Sequence, residues 1–520
     1  MAIQLWHRPW ALLDGTGTRY TMLDEVTLPL SRPGAGPIWL FTDTKDGPVV
    51  GGKKGIGIRE GEPVGGHGIF AMPVPLRGRD GMHVQTHVGS VRLEFSSIPD
   101  RPLEDLEPET EDQVMAKALL DRVKSVWARL REVESALADP ARIWEHLVKS
   151  WLADAAAANP EMDIIVDQAR RLFPTLDLLD RAPRRTLRRT RRMIPLSRVQ
   201  EIDRRAMTWL IRQPGETMEE RGGDRQRIQA VAREENFNTL ENRVLLSYAK
   251  LARGVARDYR DRHKTAAGHS DRVRLVTGYG ARCNRLETNF RALGVFEANA
   301  DVTPNFVLQN NPNYTKMWDA WRELLKRRRI LDELWRWQAR SWDEFCALAV
   351  IVALQSIPGA QSVAVSPLVF ADEQKQGCWI SHVNPMAVFF LPDARVTIEV
   401  SYRFRGGAIL SKFGAPIWLR LGRVNSADFL SRWAVWPVWD AVGGLEHGET
   451  EEISALLPNG RNESVKGGIT IRPTADGQNA EVRSLANVGC LTLGASGPGL
   501  KAGIEQLRDF LIHHVLAQAS

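Results

Sequence analysis

The chain has 520 residues, 43% hydrophobic and 25% charged, with a formal net charge of +6 and a pI of about 9.2. This is the composition of a folded globular protein, and its length predicts about three or four domains at roughly 100–200 residues each. Cys283, Cys346, Cys378 and Cys490 lie far apart with no CxxC pair, which argues against a zinc ribbon and a disulfide framework and fits a reducing cytoplasm.

The N-terminus carries no apolar signal-peptide core, and the most apolar run, Phe345 to Leu354, is too short for a bilayer. The expectation is a cytoplasmic protein without a membrane anchor.

Residues 1–105 predict a β-rich domain, with short apolar runs at Ile38–Thr42 and Val91–Phe95 between Gly-rich turns. His67, His83 and His87 fall here. On a strand, positions 83 and 87 share a face but stand about 13 Å apart, so no metal site is expected.

An acidic, proline-bearing linker at 101–112 leads into a helical middle region over 113–355. Its first helix carries Val114, Leu119, Leu120, Val123, Val126 and Trp127 near helical spacing. Residues 225–265 predict one long helix, striped by Leu240, Val244, Leu245, Tyr248 and Leu251, and 313–355 predict a Trp-bearing helical region. The 17 tryptophans of the chain are expected largely in helix–helix packing.

The strongest charge cluster begins at Arg181, with seven arginines in twelve residues. Arg184, Arg185, Arg188, Arg189, Arg191 and Arg192 form its body, and Arg198, Arg204 and Arg205 follow. A guanidinium is always charged and matches phosphate with a forked pair of donors. Such a run can grip a nucleic-acid backbone without reading sequence. The competing reading pairs these arginines with acidic stretches at 105–112 and 217–220. A second basic cluster, Lys326, Arg327 and Arg328, is the other candidate DNA contact.

From about residue 362 the apolar period changes to two. Ser362–Phe370, Cys378–His382, Ala387–Leu391, Arg395–Phe404, Ile417–Leu421 and 481–494 predict strands, and 498–518 a closing helix. Pro392-Asp393-Ala394 turns a hairpin. A mixed α/β domain over 360–520 follows, with a sheet flanked by helices. Gly494 to Lys501 lacks phosphate-loop spacing and turns the chain into the last helix. His513 and His514 are adjacent on that helix and point apart, so no metal is expected there.

The helix Thr239-Leu-Glu-Asn-Arg-Val-Leu-Leu246 holds the triplet Glu241, Asn242, Arg243. Adjacent helix positions face different ways, so the triplet is a structural anchor rather than a catalytic cluster. Asn242 or Arg243 would reach a neighbouring backbone, and Glu241 would pair with an arginine.

This helix resembles the T-x-E-N-R-x-x-K helix of the McrC-like family, partners of McrB-like AAA+ motors in modification-dependent restriction. The usable resemblance spans about residues 110–410. It implies a β-rich N-terminus, a helical middle and a restriction-endonuclease-like C-terminal domain of the PD-(D/E)XK type. It also implies an AAA+ motor as partner.

The family's nuclease motif places two carboxylates around Mg²⁺ and a lysine beside the attacking water. On the hairpin of this chain Pro385 matches, but Met386 stands at the aspartate position. Glu399 and Tyr402 match, while Ser401 replaces the lysine. A thioether does not serve a hard cation. The expectation is a degenerate nuclease domain without cofactor, in a DNA-engaging or scaffolding subunit of a prokaryotic defence complex. Alternatives are a divergent Mg²⁺-dependent nuclease using Glu399 with Asp393, Glu373 or Lys375, and a protein-interaction module that binds no nucleic acid.

Overall fold

The computed structural model describes Trp10, the backbone of short strands up to Phe95, and residues 101–102, 109–152, 163–263 and 270–517, less 366, 376–377, 382, 384, 403–414, 425–428, 440–442, 458–464 and 476–477. The architecture is mixed α/β, with a large mixed sheet towards the C-terminus. The chain divides into two compact units, Met1–Ala157 with Arg329–Ser520, and Ala158–Arg328. These differ from the sequence boundaries at 105, 113–355 and 360: helices on both sides of the middle region belong to the core of the C-terminal sheet.

The N-terminal part is β-rich. Strands β1–β8 (Gln4–Trp6, Glu25–Leu28, Ile38–Thr42, Val49–Val50, Lys53–Lys54, Gly68–Met72, Met82–Gln85, Ser90–Phe95) form a three-stranded and a five-stranded sheet. His67, His87 and the side chain of His83 lie outside the described residues. Two helices follow, α1 (Glu111–Ala136) and α2 (Ile143–Trp151).

The second unit carries α3 (Ile164–Arg181), β9 (Thr186–Pro195), α4 (Arg204–Ile211), α5 (Met218–Arg221), β10 (Arg227–Asn236), α6 (Leu240–Arg262), α7 (Ser270–Ala292), α8 (Phe306–Asn310) and most of α9 (Pro312–Arg336). Leu172, Leu176, Leu245, Tyr248, Tyr279, Phe290 and Trp321 fill one core between α3, α6, α7 and α9. The long helix predicted over 225–265 is corrected: only 240–262 is helical. Thr239 caps it, accepting the Asn242 N–H, and the ten residues Arg227–Asn236 pair with β9 instead.

In the first unit the chain continues through α10 (Gln338–Gln355), where residues 341–354 are all buried. The apolar run Phe345–Leu354 is therefore a helix enclosed on every side rather than an amphipathic one. Among the described residues no helix is long and apolar enough to cross a membrane.

Strands β11 (Gln361–Val365), β12 (Val369–Lys375), β13 (Cys378–Ser381), β14 (Ala387–Leu391), β15 (Val396–Tyr402), β16 (Ile417–Arg423) and β17 (Phe429–Pro437) come next. After them come α11 (Glu449–Leu456), β18 (Val465–Pro473), β19 (Val482–Leu485), β20 (Val488–Leu493) and α12 (Gly497–Phe510). The eight-stranded order is β11-β14-β15-β16-β17-β18-β20-β19. It is antiparallel from β11 to β17; β18 lies parallel to β17 and to β20.

One sheet face, with Phe389, Ile398, Val400, Leu419, Leu421, Trp433 and Val435, packs with α1, α2, α10 and α12 in the largest core. The other face holds a smaller cluster of Trp10, Trp418, Ala434, Trp436, Ile453 and Val488. Tryptophan thus serves the sheet as much as the helix contacts. Gly467 and Gly468 make room for it. A Cβ on Gly467 would lie 2.3 Å from Trp433 Cζ3, and one on Gly468 2.2 Å from Trp436 Cζ3.

Cys283, Cys346 and Cys490 are free and buried. Burial pushes the first two thiols well above their ordinary range and Cys490 up to about 12. The thiolate is the nucleophile, so iodoacetamide at pH 8 is expected to leave these three unmodified in the native protein. Mass spectrometry should find all three alkylated only after unfolding.

Candidate nucleic-acid interface

The arginine run forms one strand of a two-stranded antiparallel ribbon. β9 pairs with β10 over ten positions, from Thr186↔Asn236 to Pro195↔Arg227. Strand alternation puts Arg189 and Arg191 on one face and Arg188 and Arg192 on the other. Almost all of β9 is exposed, Ile194 being its one buried residue. Ile228, Ala230 and Val231 are buried on β10, and α4 packs there with Ala206 and Leu210. The ribbon is held from one strand, which leaves the arginine strand in solvent.

The root of the ribbon is fixed by the Glu241-Asn242 pair. The Asn242 amide is fully buried and donates to the Arg184 and Phe237 carbonyls, both at 2.7 Å. The Tyr314 hydroxyl donates to Asn242 Oδ1 at 2.9 Å and accepts from the Arg184 N–H at 3.1 Å. Glu241, also buried, pairs with the Arg184 guanidinium at 3.2 Å and accepts from Asn305 at 2.8 Å. Arg184, expected at phosphate, is thus an anchor by backbone and side chain. Arg243 is half-buried, with no hydrogen-bond partner for its Nε among the described residues.

Several ribbon arginines meet acids other than those at 217–220, while 103–108 of the other acidic stretch lie outside the described residues. Arg185 pairs with Glu235, Arg192 with Glu234, and Arg191 with Asp203. Arg189 and Arg233 are directly opposite, an unfavourable like-charge pair, and both reach Glu201. The Arg191 guanidinium, then the Ala206 N–H, hold the Asp203 carboxyl below its ordinary range. The expected partners at 217–220 are used otherwise: Glu220 closes a capping box with Thr217 on α5.

Other arginines around the ribbon have no such neighbour. Among the described residues, exposed Arg188, Arg198, Arg204, Arg205, Arg212, Arg225 and Arg227 make no side-chain hydrogen bond or ion pair. Arg198, Arg225 and Arg227 belong to the end of the ribbon remote from Asn242, where Leu196 N–H donates to the Gln226 carbonyl at 2.8 Å. Residues 181–236 hold fifteen arginines against eight acids, an excess of seven, larger than the whole-chain net of +6. The basic character of the protein resides here. Arg198, Arg204 and Arg205 follow the run in sequence with no role assigned by it, and Arg225 and Arg227 stand outside the run, where the charge cluster gives no signal of them.

The second basic cluster splits. Arg327 lies 3.8 Å from Asp163 and 3.9 Å from Asp258, carboxylates that also take Arg262, and its side chain is 15% exposed. It ties α9 to α3 and α6 rather than facing a ligand. Lys326 and Arg328 are exposed.

On the predicted nuclease hairpin, Glu399 stands opposite Val388 and Arg420, and its carboxylate pairs with Arg420 at 3.3 Å. Met386 is buried in the main core, and Ser401 is buried as well. Asp393 is exposed in the turn that ends at Val396, three strand positions or roughly 10 Å from Glu399. β12 carries Glu373 and Lys375, whose side chains lie outside the described residues. The hairpin therefore does not bring Asp393 and Glu399 to one point. No protein-family model and no curated protein matches the chain.

Proposed function

We propose that the protein is a non-catalytic, DNA-engaging subunit that holds the phosphate backbone on the arginine ribbon and its surround. The observation that carries this reading is the set of seven exposed arginines without acid partners beside a firmly rooted ribbon. Guanidiniums that satisfy no carboxylate are ready donors for phosphate oxygens. The paired arginines are a reserve, since exposed ion pairs contribute only about 0–1 kcal/mol and exchange easily.

A two-stranded ribbon is also a shape that the DNA major groove admits. With the resemblance to McrC-like proteins, this reading places the subunit in a prokaryotic defence or restriction assembly, beside an AAA+ motor. The nuclease alternative is weaker, because Glu399 is engaged by Arg420 and a buried Met386 replaces the second carboxylate.

The test is binding of a fluorescent duplex across a salt series. Each phosphate contact steepens log Kobs against log salt by about 0.9. Arg188→Ala with Arg227→Ala is expected to reduce that slope by about two and to weaken binding at every salt concentration. Arg191→Ala, which removes a paired arginine, should change it by less than one. Equal effects of both, or no binding at low salt, would count against the ribbon as the interface. Mg²⁺-dependent cleavage lost in Glu399→Ala would instead favour the nuclease.

A further inference from the structure

The sheet face that carries Glu399 holds a second charged feature. The register of β15, β16 and β17 sets Glu399 opposite Arg420 and Arg420 opposite Arg432, in one row across three strands. Alternation keeps the row off the main-core face, where Ile398, Leu419, Leu421 and Trp433 lie. Glu399 is 26% exposed, Arg420 29%, and Arg432 is likewise half-buried. The small cluster of Trp418, Ala434 and Trp436 borders the row on the same face.

The row sets two guanidiniums beside one carboxylate. Glu399 takes Arg420 at 3.3 Å, while Arg432 has no hydrogen-bond or ion-pair partner among the described residues. Like charges directly opposite on neighbouring strands are destabilising, and an apolar border strengthens the repulsion. Burial, and then Arg420, lower the Arg432 pKa from its ordinary value.

We propose that Arg432 and Arg420 form a phosphate-binding site on this face, with Glu399 fixing the direction of the Arg420 fork. A phosphate group presents three or four acceptor oxygens and so takes donors from both guanidiniums at once. A carboxylate has two oxygens, which a single fork fills. The ligand is a phosphate group, either free or carried by a nucleic-acid strand. The site is in a different compact unit from the ribbon and does not depend on the ribbon reading.

The test uses the full chain, with thermal unfolding and calorimetric titration at matched ionic strength. The titrants are sodium phosphate and a 5′-phosphorylated thymidine dinucleotide, with sodium chloride as reference. The wild type is expected to gain roughly 2–4 °C at tenfold excess over Kd, and Arg432→Gln none. Arg432→Gln should melt no lower than the wild type in chloride, since it relieves a repulsion. Should that variant fail to fold, Arg432→Lys decides: it keeps the charge, loses the fork, and is expected to weaken binding at least tenfold.

Saturation by the dinucleotide at lower concentration than by phosphate supports a strand phosphate; the reverse supports free phosphate. A wild type that ignores both titrants overturns the site. So does a phosphate response equal in wild type and variant.

Discussion

Replacing Asn242 with alanine is expected to destabilise the second compact unit by about 3–5 kcal/mol. The substitution strips the Arg184 and Phe237 carbonyls of their donor and the Tyr314 hydroxyl of its acceptor, around a fully buried position. Each buried polar group left unmade costs roughly 1–3 kcal/mol, and three neighbours do not add fully. Asn242→Asp restores only the acceptor for Tyr314 and sets a charge beside buried Glu241, so it should recover little. Denaturant unfolding of the full chain measures the loss, and hydrogen exchange at Arg184 locates it. DNA affinity should fall as well, although no arginine has been removed. A loss below 1 kcal/mol would mean that the ribbon is rooted elsewhere.

That coupling explains why the anchor was legible in the sequence and the ribbon was not. An Asn and a Glu on an otherwise apolar helix stripe ask for partners, and the partners proved to be a neighbouring backbone and an arginine. β9 offered no such signal. Both of its faces are in solvent, so it lacks the apolar alternation by which strands are recognised. β10 carries Ile228, Ala230 and Val231 close together and runs into a well-capped helix, so local pattern favoured helix. Its state is set by ten paired positions with a segment about forty residues earlier, a tertiary override of propensity.

The same limit governs charge. Which arginines are neutralised depends on cross-strand and loop geometry: Glu201, Asp203, Glu234 and Glu235 reach the run, while Glu219 and Glu220 stay at the start of α5. At the C-terminus the hairpin of β14 and β15 was legible because its period-two burial is regular. β17 and β18 escaped notice. β18 is buried on both faces and carries glycine at the close contacts that tryptophan demands, and β17 is interrupted by half-buried Arg432. β18 is also a parallel strand, which carries no alternation to read.

Glu449→Ala is expected to cost about 3–5 kcal/mol, because it leaves a buried guanidinium short of charge. Arg472 donates through Nε to Glu449 at 3.1 Å and through Nη2 to Glu446 at 3.0 Å, and both Arg472 and Glu449 are almost wholly buried. Thr470 adds a longer bond to the same carboxylate, at 3.4 Å. Exchanging both members for apolar residues of similar volume, Glu449→Leu with Arg472→Met, should restore most of the loss, since the pair's attraction mainly offsets its own desolvation. Chemical denaturation of the two variants measures the difference.

The informative comparison is with Arg432→Met in the same assay. Arg472 and Arg432 stand on adjacent strands of one sheet, one enclosed by two carboxylates and the other by none among the described residues. If the fold merely tolerated unneutralised arginines, both apolar replacements would behave alike. Arg472→Met alone should destabilise strongly, by stranding Glu449, while Arg432→Met should be neutral or stabilising in chloride and lose its response to phosphate. Opposite signs at two arginines of one sheet would separate a cation that the fold requires from one held ready for an anion.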